Sequence, residues 1–173
     1  MQEISIKDLK FENITEGQLN YLQVIQLIKK FLEEAPQKEY SLVIGSDSHE
    51  ENGTNLNNRK IKLVTAILVH RKGFGGKYFW IRKSVSGIHS LREKIYAETL
   101  LSLDIAREFV PTLREYLNGE FPKYDLEIHI DVGEHGDSRD MIKEVVGMVT
   151  GNGFVAKTKP EAYGASYVAD KHT

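Results

Sequence analysis

Four acidic residues are the candidates for chemistry in this chain: Asp47, Glu98, Asp131 and Asp170. Each lies at a position where a charged carboxylate is unfavourable or where a carboxylate is suited to a functional role. Asp47 ends the apolar run SLVIGSD, and Asp131 ends a second such run, DLEIHID. A buried carboxylate without a partner is unfavourable, and four converging carboxylates repel one another. Mg²⁺ or Mn²⁺ relieves that repulsion, because both are hard ions that bind oxygen ligands. If the four acids meet in the fold, they form a metal site.

Asp47 and Asp131 are more informative as a pair than singly, because each alone is typical of a turn. Adjacent parallel strands lie about 4.8 Å apart, and both acids would emerge at carboxyl ends of such strands. Ligands bind at that edge of open α/β sheets. Gly45, two residues before Asp47 on the same strand face, leaves room for close approach.

Glu98 lies on the apolar side of a long predicted helix. At about 100° per residue, five apolar side chains fall within about 60° of it. They are Leu91, Ile95, Leu101, Ile105 and Phe109, whereas Glu93, Asp104 and Glu108 fall on the solvent side. A structural partner for Glu98, either Lys94 or Ser102, is the alternative to a functional role.

Asp170 is the least distinctive of the four acids, because an aspartate near a terminus is usually exposed. It belongs to the segment ASYVADKHT, which we predict to be the end of a helix. The backbone dipole disfavours negative charge there, and a bound cation would remove the conflict. Both interpretations stay open.

The bulk composition favours one domain with a sizeable core. The chain has 173 residues, 40% of them hydrophobic, no cysteine, and a formal net charge of −2. These values exclude disulfides and thiolate metal sites and predict no general attraction to polyanions. Because no apolar run approaches roughly 20 residues and no signal-peptide pattern is present, we expect a cytoplasmic protein without membrane contact.

The pattern of apolar residues predicts an α/β fold with five strands. Thr15 and Gln18 fit a capping box for an opening helix that ends before Pro36. The predicted strands are 41–47, 61–70, 77–86, 125–131 and 154–158, and the predicted helices are 91–117, divided or kinked at Pro111, 138–149, and a last one from Pro160. Right-handed crossovers place the first strand beside the fourth, in a mixed sheet of order 3-2-1-4-5. We expect residues 1–38 to be a helical extension and residues 39–173 to be the domain.

This order of elements, with the strings GSDSH, AETLLSLDIA, HIDVG and YVADK, resembles the ribonuclease H-like superfamily. It is most similar to the uncharacterised bacterial YkuK-type branch, over about residues 40–173. The resemblance implies a ribonuclease H-like fold in which Asp47 bridges two ions of Mg²⁺ or Mn²⁺, while Glu98, Asp131 and Asp170 complete the cluster. It further implies a nuclease that hydrolyses phosphodiester bonds of RNA or DNA by a two-metal mechanism. A catalytically silent nucleic-acid-binding or regulatory protein is the competing hypothesis, and a phosphotransfer or nucleotide-binding relative is a third.

Several other polar residues are accessory candidates. His49 and His135 are predicted in loops after the acidic strands, and His172 follows Asp170 by two residues; any of them could shuttle a proton. Solvated or capping histidines are the alternative. Lys157 and Lys159 are interpreted as charges that protect an edge strand from pairing.

Overall fold

The apolar runs in the middle of the chain form the centre of a mixed sheet. The computed structural model describes residues 5–51, 60–118, 124–162 and 164–172. The strands are β1 (Phe11–Asn13), β2 (Gly17–Leu19), β3 (Tyr40–Glu50), β4 (Lys60–Arg71), β5 (Gly76–Ser86), β6 (Tyr124–His129) and β7 (Val155–Lys157). The helices are α1 (Tyr21–Glu33), α2 (Leu91–Tyr116), α3 (Ile142–Gly151) and α4 (Gly164–His172), with 3-10 turns at Ile6–Asp8 and Arg139–Met141.

The sheet has seven strands in the order β2-β1-β5-β4-β3-β6-β7, so the prediction of five strands is wrong. The predicted order of the five central strands is confirmed, because the predicted strands 3-2-1-4-5 correspond to β5-β4-β3-β6-β7. β3, β4 and β5 pair antiparallel, whereas β6 is parallel to β3 and β7 is parallel to β6. The parallel part therefore begins beside β3, the strand that carries Asp47.

The two unpredicted strands form a short hairpin at the β5 edge. The helix predicted to start near Thr15 and Gln18 does not start there, because these residues belong to the hairpin. The Asn13 side chain accepts hydrogen bonds from the backbone nitrogens of Thr15 and Glu16, both at 2.9 Å, and so closes the turn. Asn13 also donates to the Tyr78 carbonyl at 2.8 Å and anchors the hairpin to β5.

Helix α1 begins after a different capping box. The Asn20 side chain accepts from the Gln23 nitrogen and the Gln23 side chain accepts from the Asn20 nitrogen. The helix ends at Glu33, before Pro36 as predicted. Its buried face comprises Tyr21, Val24, Ile25, Ile28, Phe31 and Leu32. The predicted domain boundary after residue 38 stays a prediction.

Helix α2 lies across the sheet and carries Glu98. Ser90 caps it as predicted, since its side chain accepts a hydrogen bond from the Glu93 nitrogen at 3.2 Å. The Glu93 side chain accepts from the Ser90 nitrogen, which completes a capping box. Pro111 lies inside the helix but does not divide it, since the helix is continuous from Leu91 to Tyr116. The predicted apolar stripe is confirmed for Ile95, Leu101, Ile105 and Phe109, which are buried, but not for Leu91, which is exposed at the start of the helix.

The carboxyl-terminal helices begin later than predicted. Ser138 makes no capping bond, and a 3-10 turn precedes α3, which starts at Ile142. The last helix starts at Gly164 and not at Pro160. Among the described residues, no helix has the length and hydropathy needed to cross a membrane.

Candidate functional site

Asp47 and Asp131 lie level with each other on neighbouring parallel strands. The β3–β6 ladder pairs Gly45 with His129, and each acid lies two residues beyond its member of that pair. Asp131 follows the end of β6, which stops at His129 and not at the predicted residue 131, whereas β3 continues past Asp47 to Glu50. Because the ladder ends at the Gly45–His129 pair, the sheet opens between the two acids.

Asp47 belongs to the sheet face that α4 covers. Antiparallel partners share a face, and Asp47 is paired with Val64 and Gly45 with Ala66. Val64 and Ala66 form a buried cluster with Ala169 of α4. The residue after Ala169 is Asp170, which is exposed. Asp47 and Asp170 are therefore associated with the same face of the sheet.

Glu98 approaches from the opposite face, where α2 packs. Its side chain is buried, and the Ser48 hydroxyl donates to Glu98 Oε1 at 2.6 Å. Lys94 lies one turn earlier on α2, with Nζ 3.8 Å from the same oxygen. Ser102, the other predicted partner, instead hydrogen-bonds Ser46 at 2.8 Å. Sequence reasoning missed Ser48, although its position next to Asp47 on the alternating strand places it on the α2 side.

The charges of the acids act on one another despite their different faces. The pKa of Asp47 is raised, first by burial and also by the negative charges of Asp131 and Asp170. Burial is also the main cause that raises the pKa of Glu98 to about 7, with added repulsion from Asp47 and Asp131. The hydrogen bond from Ser48 opposes the rise in Glu98. The structure thus brings the predicted acids into one electrostatic neighbourhood.

A lysine that was assigned to edge protection belongs to this neighbourhood. Lys159 Nζ lies 2.5 Å from Asp131 Oδ1. The hydrogen bond to Asp131 is the main cause that raises the pKa of Lys159, and the charges of Asp47 and Glu98 raise it further. The edge-guarding interpretation stays a prediction, and for Lys159 the ion pair with Asp131 is an additional role. The pair joins residues far apart in the chain, so no local sequence pattern indicates it.

The candidate histidines lie in three different settings. His49 is exposed and belongs to β3, which corrects its predicted place in a loop, whereas His135 is exposed in the loop after β6. The His172 ring stacks on Trp80 with a centroid distance of 3.7 Å and an interplanar angle of 5°. Burial lowers the pKa of His172, and nearby positive charges lower it further. His172 therefore packs on the sheet as a neutral aromatic ring at neutral pH.

The donor types suit Mg²⁺ or Mn²⁺, because Asp47, Glu98, Asp131 and Asp170 are hard oxygen ligands whose mutual repulsion a cation would relieve. Their arrangement is not yet a closed ligand shell. Within the described ranges, no group of three or more histidine, aspartate or glutamate side chains is assembled to hold an ion. Asp131 is paired with Lys159 instead. The residues fit the ion by chemistry, and binding requires them to draw closer.

Comparison with known proteins identifies the family of this chain. Residues 23–173 match the family model described as Ribonuclease H-like. Proteins of that family often use divalent metals and have functions related to nucleic acids. The chain is 33% identical over 171 residues to "Uncharacterized protein YkuK" of Bacillus subtilis (strain 168), an alignment that covers 94% of this chain and 96% of that relative. No solved structure matches the chain. The match over most of its length shows that this chain belongs to the ribonuclease H-like family.

Proposed function

We propose that the protein is a divalent-metal-dependent nuclease that hydrolyses phosphodiester bonds of RNA or DNA. The observation that carries the proposal is the place of Asp47 and Asp131, each two residues beyond the last β3–β6 pair, where the charges of both act on Glu98. Membership in a family with nucleic-acid-related functions supports the substrate class. Carboxylates held against their own repulsion at a strand edge are typical of a site that receives a cation.

Asp47, Asp131 and Asp170 would hold Mg²⁺ or Mn²⁺ from the α4 side, and Glu98 would reach it from the α2 side. Two such ions, when bound, supply charge that stabilises the attacking and leaving oxygens of phosphodiester hydrolysis. Glu98 has a pKa of about 7, so it is able to accept or release a proton near neutral pH. Ser48 and Lys94 both engage Oε1, which leaves Oε2 as the oxygen that carries the proton.

A nucleic-acid-binding or regulatory protein without turnover is the second candidate. The observation that favours it is the pairing of two of the acids with lysines: Asp131 with Lys159 and Glu98 with Lys94. An acidic cluster neutralised from within needs no metal to be stable. Such a protein would bind nucleic acid through its remaining basic residues, without cleavage.

Labelled RNA, DNA and hybrid oligonucleotides, incubated with Mn²⁺ and separately with chelator, test the proposal. We expect cleavage with Mn²⁺ only, and we expect Asp47→Asn and Asp131→Asn each to reduce the rate at least about 100-fold, because each removes a ligand at the point where charge must be stabilised. Asp170→Asn, at an exposed position of α4, should retain more activity than either.

Asp104→Asn is the matched control, because Asp104 lies on the exposed side of α2 and pairs only loosely with Arg107, at 3.4 Å. It should cleave at the wild-type rate. Binding to the oligonucleotides without cleavage would favour the second candidate. Cleavage that persists unchanged in Asp47→Asn would show that the activity has another source.

A further inference from the structure

We propose that Lys159 is a built-in counter-ion that occupies the cation position at Asp131 in the metal-free protein, and that a divalent ion binds only by displacing it. The inference rests on the proposed function, because it concerns the same acids. It assigns to Lys159 control over the affinity for the metal.

The contact between Lys159 and Asp131 is held in place by the backbone near both residues. The Lys159 nitrogen donates to the Val132 carbonyl at 2.8 Å, one residue after Asp131. The lysine stem then lies over Gly133, where an added Cβ would lie 3.3 Å from Lys159 Cβ and 3.8 Å from Lys159 Cδ. The absence of a side chain at Gly133 therefore lets the lysine reach back to Asp131.

The same contact can open without disturbing the core. The Lys159 side chain is 59% exposed, and that of Asp131 is 30% exposed. A lysine with this much exposure moves its ammonium group into water at low cost, since its stem is flexible and its charge is readily hydrated. The pair therefore stabilises the acids in the absence of metal and yields to a dication that interacts with several of them together.

The positive charge of Lys159 makes it a direct competitor of a metal ion at Asp131. An ammonium group at 2.5 Å from Asp131 Oδ1 uses the oxygen that a metal ion would bind, and it repels a cation approaching Asp47 or Glu98. Removing the ammonium should strengthen metal binding, whereas a lysine that only braces the loop would weaken it when removed. The two roles therefore predict opposite changes in the affinity for the metal ion.

Calorimetric titration of the full chain with Mn²⁺ distinguishes them without reference to activity. We expect Lys159→Met to lower the Kd for Mn²⁺ about threefold to fivefold, because the ion no longer has to displace one half-exposed ion pair. Gly133→Ala, which crowds the lysine stem but keeps its charge, should lower the Kd by a smaller factor. Lys143→Met removes the same charge from the exposed surface of α3 and should leave the Kd unchanged.

The outcomes separate this inference from the proposed function. A Kd for Lys159→Met equal to or higher than that of the wild type, with binding still abolished by Asp47→Asn, overturns the role of Lys159 and leaves the metal site standing. Absence of Mn²⁺ binding in both wild type and Lys159→Met overturns both proposals. Binding that survives Asp47→Asn does the same, because it places the ion elsewhere.

Discussion

Glu98 is the most unfavourably placed carboxylate of the site, and its environment explains its titration. It is buried on α2, with one serine and one lysine engaging a single oxygen. Burial penalises the charged form more than these two partners stabilise it, so the pKa rises to about 7. At neutral pH the residue is divided between its two protonation states, a property that suits proton transfer.

The raised pKa of Glu98 predicts how stability changes with pH. Because the folded protein holds this proton more tightly than the unfolded chain, its contribution is complete below about pH 4.5 and is lost as the pH rises through about 7. A rise from 4.5 to about 7 corresponds to about 3 kcal/mol. In chelator, the free energy of unfolding of wild type relative to Glu98→Gln should fall by that amount between pH 4.5 and pH 7.5. Urea denaturation measures it.

Glu33→Gln is the control for this pH series, because Glu33 lies exposed at the end of α1 and forms an exposed ion pair with Lys29, at 3.6 Å. Its difference from wild type should stay flat across the same range. A flat difference for Glu98→Gln as well would show that Glu98 titrates near the ordinary value for a glutamate.

Ser48 should matter most when Glu98 is charged. Its hydroxyl donates to Glu98 Oε1 at 2.6 Å, and this bond lowers the pKa of Glu98 against the effect of burial. We expect Ser48→Ala to raise that pKa further and to cost about 1–3 kcal/mol of unfolding free energy at pH 8, with a smaller cost at pH 5. Denaturation at the two pH values measures the difference.

Ser46→Ala offers a matched comparison on the same strand. Ser46 is buried and hydrogen-bonds the neutral hydroxyl groups of Thr65, at 2.7 Å, and Ser102, at 2.8 Å. Its replacement should cost the same at both pH values, since no charged partner is involved. An equally pH-independent cost for Ser48→Ala would contradict the assignment of its bond to ionised Glu98.

At the scale of elements, the central strands could be predicted from sequence and the edge hairpin could not. β3 and β4 are long apolar runs, and the crossover rule then placed β6 beside β3. β1 and β2 have three residues each, too few to show alternation. Thr15–Gln18 and Asn20–Gln23 both have the spacing of a capping box, and the hairpin closed by Asn13 decides between them.

The candidate site shows the same limit. Glu98 could be selected because it interrupts an apolar stripe, and Asp47 and Asp131 because both end apolar runs, whereas Asp170 depended mainly on the family resemblance. Their distribution over two faces of the sheet, and the pairing of Asp131 with Lys159, depend on contacts between distant segments. The predicted convergence of the four carboxyl groups around an ion therefore stays a prediction.

A ring stack joins the end of helix α4, the helix that carries Asp170, to β5. His172 lies on Trp80, which is 6% exposed, and Ala169 of the same helix packs in the cluster around Trp80. Arg82 donates to the His172 carbonyl at 3.2 Å and adds a polar contact at the helix end. Without the imidazole ring, the end of α4 would lose its main contact with β5.

Trp80 is the only tryptophan, so its fluorescence reports the seating of α4. We expect His172→Ala to shift the emission to longer wavelength and to increase quenching by acrylamide, because the indole face becomes accessible to water. The stacking interaction accounts for about 1 kcal/mol of the stability lost. His135→Ala, in an exposed loop, should change neither. Unchanged quenching in His172→Ala would mean that α4 is held without the stack.

At the scale of the whole molecule, the amino-terminal segment is connected to both faces of the site. Glu12 of β1 forms an ion pair with Arg82, which contacts the end of α4. On the other face, the Tyr21 hydroxyl donates to the Glu108 carbonyl of α2 at 2.9 Å. The segment from β1 to α1 thus helps to support the helices that carry Asp170 and Glu98.

This arrangement predicts that residues 39–173 do not retain the stability of the full chain. Removal of residues 1–38 would expose the surfaces that bury Val24, Ile25 and Ile28, each 0% exposed. Loss of one such side chain typically costs about 2–5 kcal/mol, so the joint loss of all three is comparable to the total stability of about 5–15 kcal/mol typical of a domain. We expect the shortened chain to lose its cooperative urea transition and to bind a hydrophobic dye.

A chain that begins at Asn20 provides the comparison, because it keeps α1 and its capping residue but lacks the edge hairpin. It should unfold cooperatively at a lower urea concentration than the full chain, since it loses the β1–β5 pairing but not the α1–α2 packing. If residues 39–173 instead unfold cooperatively with nearly the full free energy, the first 38 residues are a dispensable extension. The family-like domain would then begin where its apolar strands begin, at β3.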